Sequence, residues 1–286
     1  MLRQLLVLAT LAAAQVSSFG AEPVLHVFLI SDGDGHRSLL IPSIHVPAFG
    51  IAQPSSSMVT AASRLVIEHA GTGTSASDTE GGTRLAPWAV AMTAAQRRTY
   101  DDRARCAGRT PEEAEAALHR PSVQVANMYA YASCAMAGRP SRDVVLAVAA
   151  LQRGVPLVAL EDDVWVEQQR LKIPARVQEE AFRWILDRDV DAVLQPMVQA
   201  FNSGDFDAVA RLWAASYGSP QNARIAYVPM VIERNLQWMT VLPQLLDEGG
   251  SIIDVGAMHI PGPQGLVALL RARGYQVEPI TLPASL

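Results

Sequence analysis

The amino-acid sequence predicts an α/β protein: a central mixed β-sheet flanked by helices, with a helical insert between the two halves of the sheet. Short apolar runs bounded by turn residues alternate with longer segments of helical periodicity, as in α/β architectures. The chain also ends in a strand–loop–helix–strand unit between residues 251 and 282. Because 50% of the 286 residues are hydrophobic, the chain can fill a complete core.

Local patterns place the individual elements. Strands are predicted at residues 24–31, 38–41, 65–67, 155–160, 251–255 and 275–282. Helices are predicted at 112–119, 123–137, 142–153, 263–273 and, with breaks near Gly204 and Gly218, across most of 165–246. Thr110 and Glu113 have the spacing of a capping box, with Pro111 at the first helical position. Gly154 and Gly274 are typical helix stops.

The N-terminus has the three parts of a secretory signal peptide. Met1-Leu2-Arg3 gives a positive start, residues 5–13 form an apolar run, and Ser18-Phe19-Gly20 places small residues at a cleavage site. The apolar run is too short to span a bilayer, which takes about 20 residues. We therefore predict a signal peptide at 1–20, one mature domain at 21–286 without a transmembrane segment, and a periplasmic or secreted location.

Charge and cysteine content narrow the possible functions. The formal net charge is −5 and no stripe of basic residues is present, which argues against nucleic acid as a partner. The two cysteines, Cys106 and Cys134, either form one disulfide in an oxidising compartment or remain buried free thiols. A disulfide requires that their Cα atoms lie within about 7 Å of each other.

Several catalytic signatures are absent from the chain. It contains no G-x-S-x-G elbow, no H-E-x-x-H pair and no P-loop, so a covalent mechanism through Ser or Cys has no support. Residues 71–82 are rich in Gly, Ser and Thr, which predicts a flexible loop. Such a loop serves either as a plain surface connection or as a lid over a site.

Four residues stand at or just after predicted strand ends: His45, Glu68, Glu161 and His259. Ligands of α/β sheets bind outside strand ends. Two imidazoles and a carboxylate there would suit a divalent metal with one position open for water, whose pKa then falls to about 7. Each residue also has a plainer interpretation, because a histidine can be a hydrogen-bonded loop residue and a carboxylate can stabilise a helix N-terminus.

Two polar residues on a predicted amphipathic helix at 226–239 are further candidates. Arg234 either takes part in the site or is simply solvated. Asn235 either supports the site or only bonds across to a neighbouring loop.

The C-terminal segment has the most specific pattern in the chain. The run VGAMHIPGPQGL at 255–266, continuing to Tyr275, resembles the C-terminal signature of the TraB/GumN family, also called TraB/PrgY/GumN. Three further segments resemble the family in the expected order: LIPSIHV at 40–46, Leu160-Glu161 with Glu167-Gln168, and Glu233-Arg234-Asn235 with Trp238. That family includes the Tiki metalloproteases and is distantly similar to erythromycin esterase-like and ChaN-like proteins, so the resemblance implies a fold of that kind.

The resemblance also implies a function and a set of site residues. Two G-x-x-H motifs and a carboxylate are implicated in metal-dependent peptide cleavage in the Tiki branch. Carried onto this chain, they predict an exported metal-dependent hydrolase, most plausibly a peptidase, acting on a peptide or small-molecule substrate. The residues implied are His45, Glu68, Gly256 and His259, with Arg234 and Asn235 in support. Our hypothesis is that His45, Glu68 and His259 ligate a divalent metal, that Glu161 serves as a base or supports the ligands, and that Arg234 and Asn235 are further catalytic residues.

One position departs from the family pattern. Pro42 stands where the first G-x-x-H motif has glycine. Because proline fixes φ and lacks an N–H, we expect it to shift His45 or to remove a backbone donor from the site. This departure favours the alternative of a non-catalytic envelope or ligand-binding protein on the same scaffold. Haem capture through His45 or His259 is a third hypothesis, by distant analogy.

Overall fold

The computed structural model describes residues 22–69 and 82–286. The predicted signal peptide at 1–20 and nearly all of the predicted loop at 71–82 lie outside the described residues. Within them, seven strands form one mixed sheet with helices around it, which confirms the predicted α/β class. The strands are β1 (Val24–Ser31), β2 (Arg37–Ser43), β3 (Gln53–Pro54), β4 (Arg64–His69), β5 (Leu157–Glu161), β6 (Ser251–Gly256) and β7 (Gln276–Ser285).

The strand order across the sheet is β3-β7-β1-β2-β6-β4-β5. Strands β2, β6, β4 and β5 run parallel, so their carboxyl ends meet at one edge of the sheet. Strand β1 is antiparallel to both β2 and β7. All six predicted strands are present, whereas the sequence does not predict the two-residue β3.

The described residues contain thirteen α-helices, and α6 to α12 form the predicted insert between β5 and β6. None of these helices is long and apolar enough to cross a membrane. The helices are α1 (Pro87–Val90), α2 (Ala94–Cys106), α3 (Pro111–Leu118), α4 (Gln124–Ala130), α5 (Arg142–Gln152), α6 (Asp163–Leu171), α7 (Ala175–Leu186), α8 (Val190–Asn202), α9 (Phe206–Ala215), α10 (Pro220–Tyr227), α11 (Arg234–Trp238), α12 (Leu242–Asp247) and α13 (Leu266–Ala272).

Local sequence explains several helix boundaries. Helix α3 begins at the predicted capping box, in which the Glu113 N–H donates to Thr110 Oγ1 at 3.2 Å and the Thr110 N–H donates to the Glu113 carboxylate at 2.9 Å. Helix α2 also begins with a capping box, formed by Thr93 and Gln96. The spacing of these two residues is recognisable in the sequence, although no helix is predicted there. Gly154 follows α5 with φ of +69°, as predicted for a helix stop.

The helix predicted at 123–137 is wrong in its second half. Helix α4 ends at Ala130, and a short 3₁₀ turn at Cys134–Met136 replaces the remainder. The chain turns between them and brings Cys134 back to Cys106 at the end of α2. A tertiary contact therefore overrides the helical propensity of this segment.

The helix predicted at 226–239 is interrupted. Helix α10 ends early, residues Val228–Glu233 form a π-helical segment, and α11 begins at Arg234. Pro229 lacks an N–H and cannot contribute to a regular helical ladder. π-helical turns occur frequently at functional sites. The position of Arg234 directly after such a turn therefore favours a functional role for this residue.

Two apolar layers cover the faces of the sheet. On β6, Ile253 and Val255 belong to the larger cluster, which the helical insert completes, and Ile252 belongs to a smaller cluster beneath α5. Every residue of β6 is buried, as expected for a central parallel strand covered on both faces. Trp238 of α11 is fully buried in the larger cluster and so anchors the segment that contains Arg234.

Cys106 and Cys134 form a disulfide with their Cα atoms 4.8 Å apart. The prediction that they lie within bridging distance is confirmed. The bond ties the end of α2 to the 3₁₀ turn after α4, across a sequence separation of 28 residues.

Replacing both cysteines, Cys106→Ser with Cys134→Ser, should lower the free energy of unfolding by about 3 kcal/mol, because the unfolded chain regains the entropy of an open loop. Equilibrium urea unfolding followed by circular dichroism measures this change. The wild-type protein unfolded in a thiol reductant should show a similar shift. Unchanged transitions in both experiments would contradict a stabilising role for the bond.

Candidate active site

The predicted site residues meet at one edge of the sheet. Glu68 lies at the carboxyl end of β4 and Glu161 is the last residue of β5. His45 and His259 follow the carboxyl ends of β2 and β6 by two and three residues. Because these four strands are parallel, the residues share the edge at which α/β proteins bind ligands.

Glu68 is the common neighbour of both histidines. Its Oε1 atom lies 3.3 Å from His45 Nε2 and 3.9 Å from His259 Nε2. Glu68 and His259 are buried, whereas the His45 side chain is 55% exposed. The two imidazoles therefore approach one carboxylate from different sides, His259 from the interior and His45 from the solvent side.

The absence of a side chain at Gly256 permits this close approach. A β-carbon at that position would lie 3.0 Å from His45 Nε2, 3.2 Å from Glu68 Oε1 and 3.6 Å from the ring of His259. The Gly256 N–H also donates to Glu68 Oε1 at 2.6 Å. The glycine of the second G-x-x-H motif thus keeps open the space among three polar side chains.

Asn235 determines the tautomer of His259. Its amide nitrogen donates to the carbonyls of His259 at 3.2 Å and Gln264 at 2.8 Å, which leaves Oδ1 facing His259 Nδ1 at 2.7 Å. Nδ1 therefore carries the ring proton and Nε2 is free to accept. Burial lowers the pKa of His259 to about 3, so the ring is neutral at physiological pH.

Arg234 is the buried cation of the site. Its Nη2 donates to Glu68 Oε2 at 2.6 Å, its Nε donates to Glu161 Oε1 at 2.8 Å, and its Nη2 also contacts Glu161. Trp238 Nε1 donates to the second oxygen of Glu161 at 2.9 Å. Since Arg234 is only 5% exposed, the alternative that it is solvated is wrong.

The charged groups of the site stabilise one another. Burial opposes the charge of Glu68, but Arg234 and His45 hold the pKa of Glu68 well below its usual range. Desolvation likewise opposes the charge of His45, but Glu68 and Asp143 hold the pKa of His45 well above its usual value. His45 and Glu68 therefore form an ion pair beside the neutral ring of His259.

Two acidic residues of the site are not among the sequence predictions. Asp143, in the first turn of α5, lies 3.7 Å from His45 Nδ1 and accepts from Ser43 Oγ at 3.1 Å. Asp254 of β6 is 3% exposed, and its Oδ1 has no hydrogen-bond partner among the described residues. Burial and the neighbouring Asp143 raise the pKa of Asp254 to about 8. A lone acid in an otherwise apolar strand was the signal that could have revealed it.

Pro42 lies within β2, beside Val255 of β6. The ladder between β1 and β2 spans only Arg37 to Leu40, so Pro42 lies beyond it. The Pro42 carbonyl accepts from Arg142 Nη1 at 2.8 Å. Because the nitrogen and carbonyl of an extended residue face the same side, the missing N–H does not face β6. The ladder between β2 and β6 therefore loses no hydrogen bond to the proline, and His45 still reaches Glu68.

A cleft of about 1060 Å³ opens over these residues. Its lining includes His45, Glu68, Arg234 and Asp254 on one side, and the apolar residues Met128, Met136 and Met230 elsewhere. This volume is at the upper end of the range for small-molecule sites. A separate depression of about 710 Å³ between α2 and α3 contains none of the site residues.

All six residues predicted from the sequence belong to one contact network. Glu161 and Asn235 are buried and contact other side chains of the network, so they position Arg234 and His259. His45, Glu68 and Arg234 border the cleft itself.

The donor atoms suit a divalent cation in their chemistry, because they comprise a neutral imidazole, an ionised carboxylate and a second imidazole. Their placement is not that of a finished ligand set. Within residues 22–69 and 82–286, no group of three His, Cys, Asp or Glu side chains is arranged so that it could hold a metal ion. Arg234 already contacts Glu68 Oε2 at 2.6 Å, and it lies 3.4 Å from His259 Nε2. Cation binding would therefore require these side chains to rearrange.

The variant Asp254→Asn should stabilise the protein increasingly as the pH rises. The pKa of Asp254 is about 8 in the folded chain and 3.8 as an ordinary carboxyl. At a pH between these two values, the Asp254 carboxyl is ionised in the unfolded chain and protonated in the folded chain. The free energy of unfolding of the wild type therefore falls as the pH rises. Asparagine does not titrate, and its advantage should grow by about 1.4 kcal/mol for each pH unit between the two pKa values.

Urea unfolding at acidic and at mildly alkaline pH tests this expectation. Asp207→Asn is the matched control, because Asp207 is an exposed residue in the first turn of α9. The difference between the control and the wild type should not change over the same pH range. An equal pH dependence in the Asp254 variant and the wild type would contradict a buried, protonated Asp254.

Comparison with known proteins supports the relationship that the motifs indicate. The chain matches the TraB/PrgY/gumN family over residues 27–279, from β1 into β7, and all six predicted site residues lie within the match. No curated protein and no solved structure is significantly similar to the chain. Because the match covers nearly the whole chain, this protein belongs to the TraB/PrgY/gumN family.

Proposed function

We propose that this protein is an exported hydrolase that cleaves a peptide bond with a divalent cation held by His45, Glu68 and His259. The observation that carries the proposal is the convergence of these three side chains, from three separate strand ends, on the open space beside Gly256. Two imidazoles and a carboxylate around a space without side chains, at the edge of a large cleft, favour a site over simple packing.

Each polar residue has a distinct role in this proposal. A divalent cation would supply a Lewis acid for the substrate carbonyl. Asn235 holds His259 with its Nε2 lone pair available. Glu161 and Trp238 fix the guanidinium of Arg234, which borders the cleft and would stabilise negative charge on a substrate oxygen.

The state of His45 makes the proposed binding dependent on pH. His45 is protonated beside Glu68, with its pKa well above the usual value. A histidine must be deprotonated before it can ligate a cation. We therefore expect cation affinity to increase as the pH rises.

Two observations support the remaining parts of the proposal. The disulfide between Cys106 and Cys134 is typical of proteins that fold in an oxidising compartment, which agrees with export to the periplasm or beyond. The cleft is lined by charged residues of the site and by apolar methionine side chains, and it has room for a short peptide.

A second candidate is a ligand-binding protein without catalysis. It is favoured by the contacts of Arg234, whose guanidinium already occupies one oxygen of Glu68 and lies against His259 Nε2. In that case the same cleft binds a ligand and no bond is broken.

His259→Ala should abolish both cation binding and peptide cleavage, because it removes the one neutral imidazole of the site. Metal content after incubation with Zn²⁺, Mn²⁺ or Co²⁺ and desalting measures the first effect. Mass spectrometry of a mixed tri- and tetrapeptide library, with each metal at mildly acidic and mildly alkaline pH, measures the second.

His36→Ala is the matched control, because His36 pairs with Asp32 at 2.7 Å in the turn between β1 and β2 and does not line the cleft. This control should retain wild-type metal content and cleavage. Equal metal content in the His259 variant and the wild type would overturn the assigned ligands. A wild type that binds no metal and cleaves no peptide would favour the ligand-binding alternative.

Gly256→Ala should reduce cation affinity and cleavage by at least about tenfold while the fold persists. The added β-carbon would lie 3.0 Å from His45 Nε2 and 3.2 Å from Glu68 Oε1, so both side chains must move apart. Metal titration and the peptide assay measure the effect, and circular dichroism monitors the fold. Full activity in a folded variant would contradict the proposed location of the cation.

A further inference from the structure

Arg170 of α6 borders the cleft but makes no hydrogen bond to the described residues of the network around Arg234. The oxygen of the Gln124 side chain, when turned toward Arg170, accepts from its Nε at 3.0 Å and its Nη1 at 2.7 Å. The nearest carboxylate among the described residues is that of Glu167, whose Oε2 lies 3.8 Å from Nη1. No described residue accepts from Nη2, and the side chain is 26% exposed.

The two arginines that border this part of the cleft are therefore in different states. The charge of Arg234 is compensated by hydrogen bonds to Glu68 and Glu161. Arg170 makes no hydrogen bond to any described carboxylate. Burial and the neighbouring charge of Arg234 lower the pKa of Arg170, which means that its cationic form is under-compensated. An anion arriving in the cleft would relieve this deficit.

The surroundings of Arg170 favour the same kind of ligand. Arg139 also borders the cleft, is exposed and has no ion pair among the described residues. Of the carboxyl groups that border the cleft, Glu68 binds Arg234 and Asp143 faces His45. The third, Asp254, has its pKa raised to about 8 by burial and so carries no charge at neutral pH. The fork geometry of a guanidinium matches a planar carboxylate better than it matches a neutral amide.

We propose that Arg170 binds a carboxylate of the ligand, and that this carboxylate is the C-terminus of a peptide. The peptide part rests on the proposed function, whereas the preference for a carboxylate rests on Arg170 alone. Arg170 then selects which peptides enter and orients them, with the free terminus beside α6 and the preceding residues along the apolar part of the cleft.

The test compares two probes that differ only in this group: Ala-Ala-Phe with a free carboxylate and Ala-Ala-Phe amide. Isothermal titration calorimetry measures their binding to the full protein in the presence of EDTA, so that neither metal nor turnover contributes. Succinate serves as a third probe, because it carries carboxylates without a peptide. The wild type should bind the free acid at least about tenfold more tightly than the amide.

Arg170→Gln should remove this preference and leave binding of the amide unchanged, which also shows that the variant is folded. Arg170→Lys should retain part of the preference, because it keeps the charge and loses the fork. Arg176→Gln, an exposed arginine of α7 that pairs with Glu180, is the control and should behave as the wild type.

Three outcomes would overturn the proposal: no preference for the free acid in the wild type, no binding of either tripeptide, or an undiminished preference in Arg170→Gln. Binding of succinate as tight as that of the tripeptide would retain the carboxylate site and reject the peptide as its source. If peptide cleavage is absent but the preference for the free acid persists, the proposed hydrolase fails and the ligand class stands.

Discussion

The buried charge of Arg234 is the constraint on which the rest of the site depends. A guanidinium that is only 5% exposed is tolerable only if its donors are satisfied by charged acceptors. Glu68 and Glu161 accept from these donors at the ends of two adjacent strands. Trp238 Nε1 donates to the second oxygen of Glu161. Removing one partner of such a network leaves an uncompensated buried charge, typically at a cost of about 3–5 kcal/mol. The hydrogen bonds of Arg234 therefore connect the ends of β4 and β5 to the π-helical segment at the border of the cleft.

The two G-x-x-H-like segments supply histidines of opposite character. His259 is buried, neutral and held by Asn235, whereas His45 is half-exposed and charged beside Glu68. The difference follows from what stands beside each ring. Burial and the nearby cation of Arg234 lower the pKa of His259, whereas His45 lies beside two carboxylates, Glu68 and Asp143, that raise its pKa. Two similar sequence segments thus place two different groups beside Glu68: the Nε2 lone pair of His259 and the protonated imidazole of His45.

The sequence predicts the sheet well because its strands are defined locally. The strand at 24–31 precedes the Asp-Gly-Asp-Gly turn, and the apolar run at 251–255 is unambiguous. The helix α2 is missed although its capping box is readable, since its body is mostly polar. Six site residues are recognisable from strand ends and family motifs, but their contacts are not. Arg234 lies 166 residues from Glu68 and 73 from Glu161 in sequence, and no local pattern encodes such a pairing.

The pairing of the first strand with the last has a consequence for how this molecule acquires its shape. Strand β1 lies between β2 and β7, and β2 in turn pairs with β6. Both of these partners lie within residues 251–286, more than 200 residues after β1 and β2. The centre of the sheet therefore cannot be completed before residues 251–286 have been synthesised, and contacts of such long sequence separation form slowly. Helices can form early, but the edge that bears Glu68, His45 and His259 is assembled last. In a nascent chain of this topology, β1 and β2 lack one strand partner each until β6 and β7 have been made.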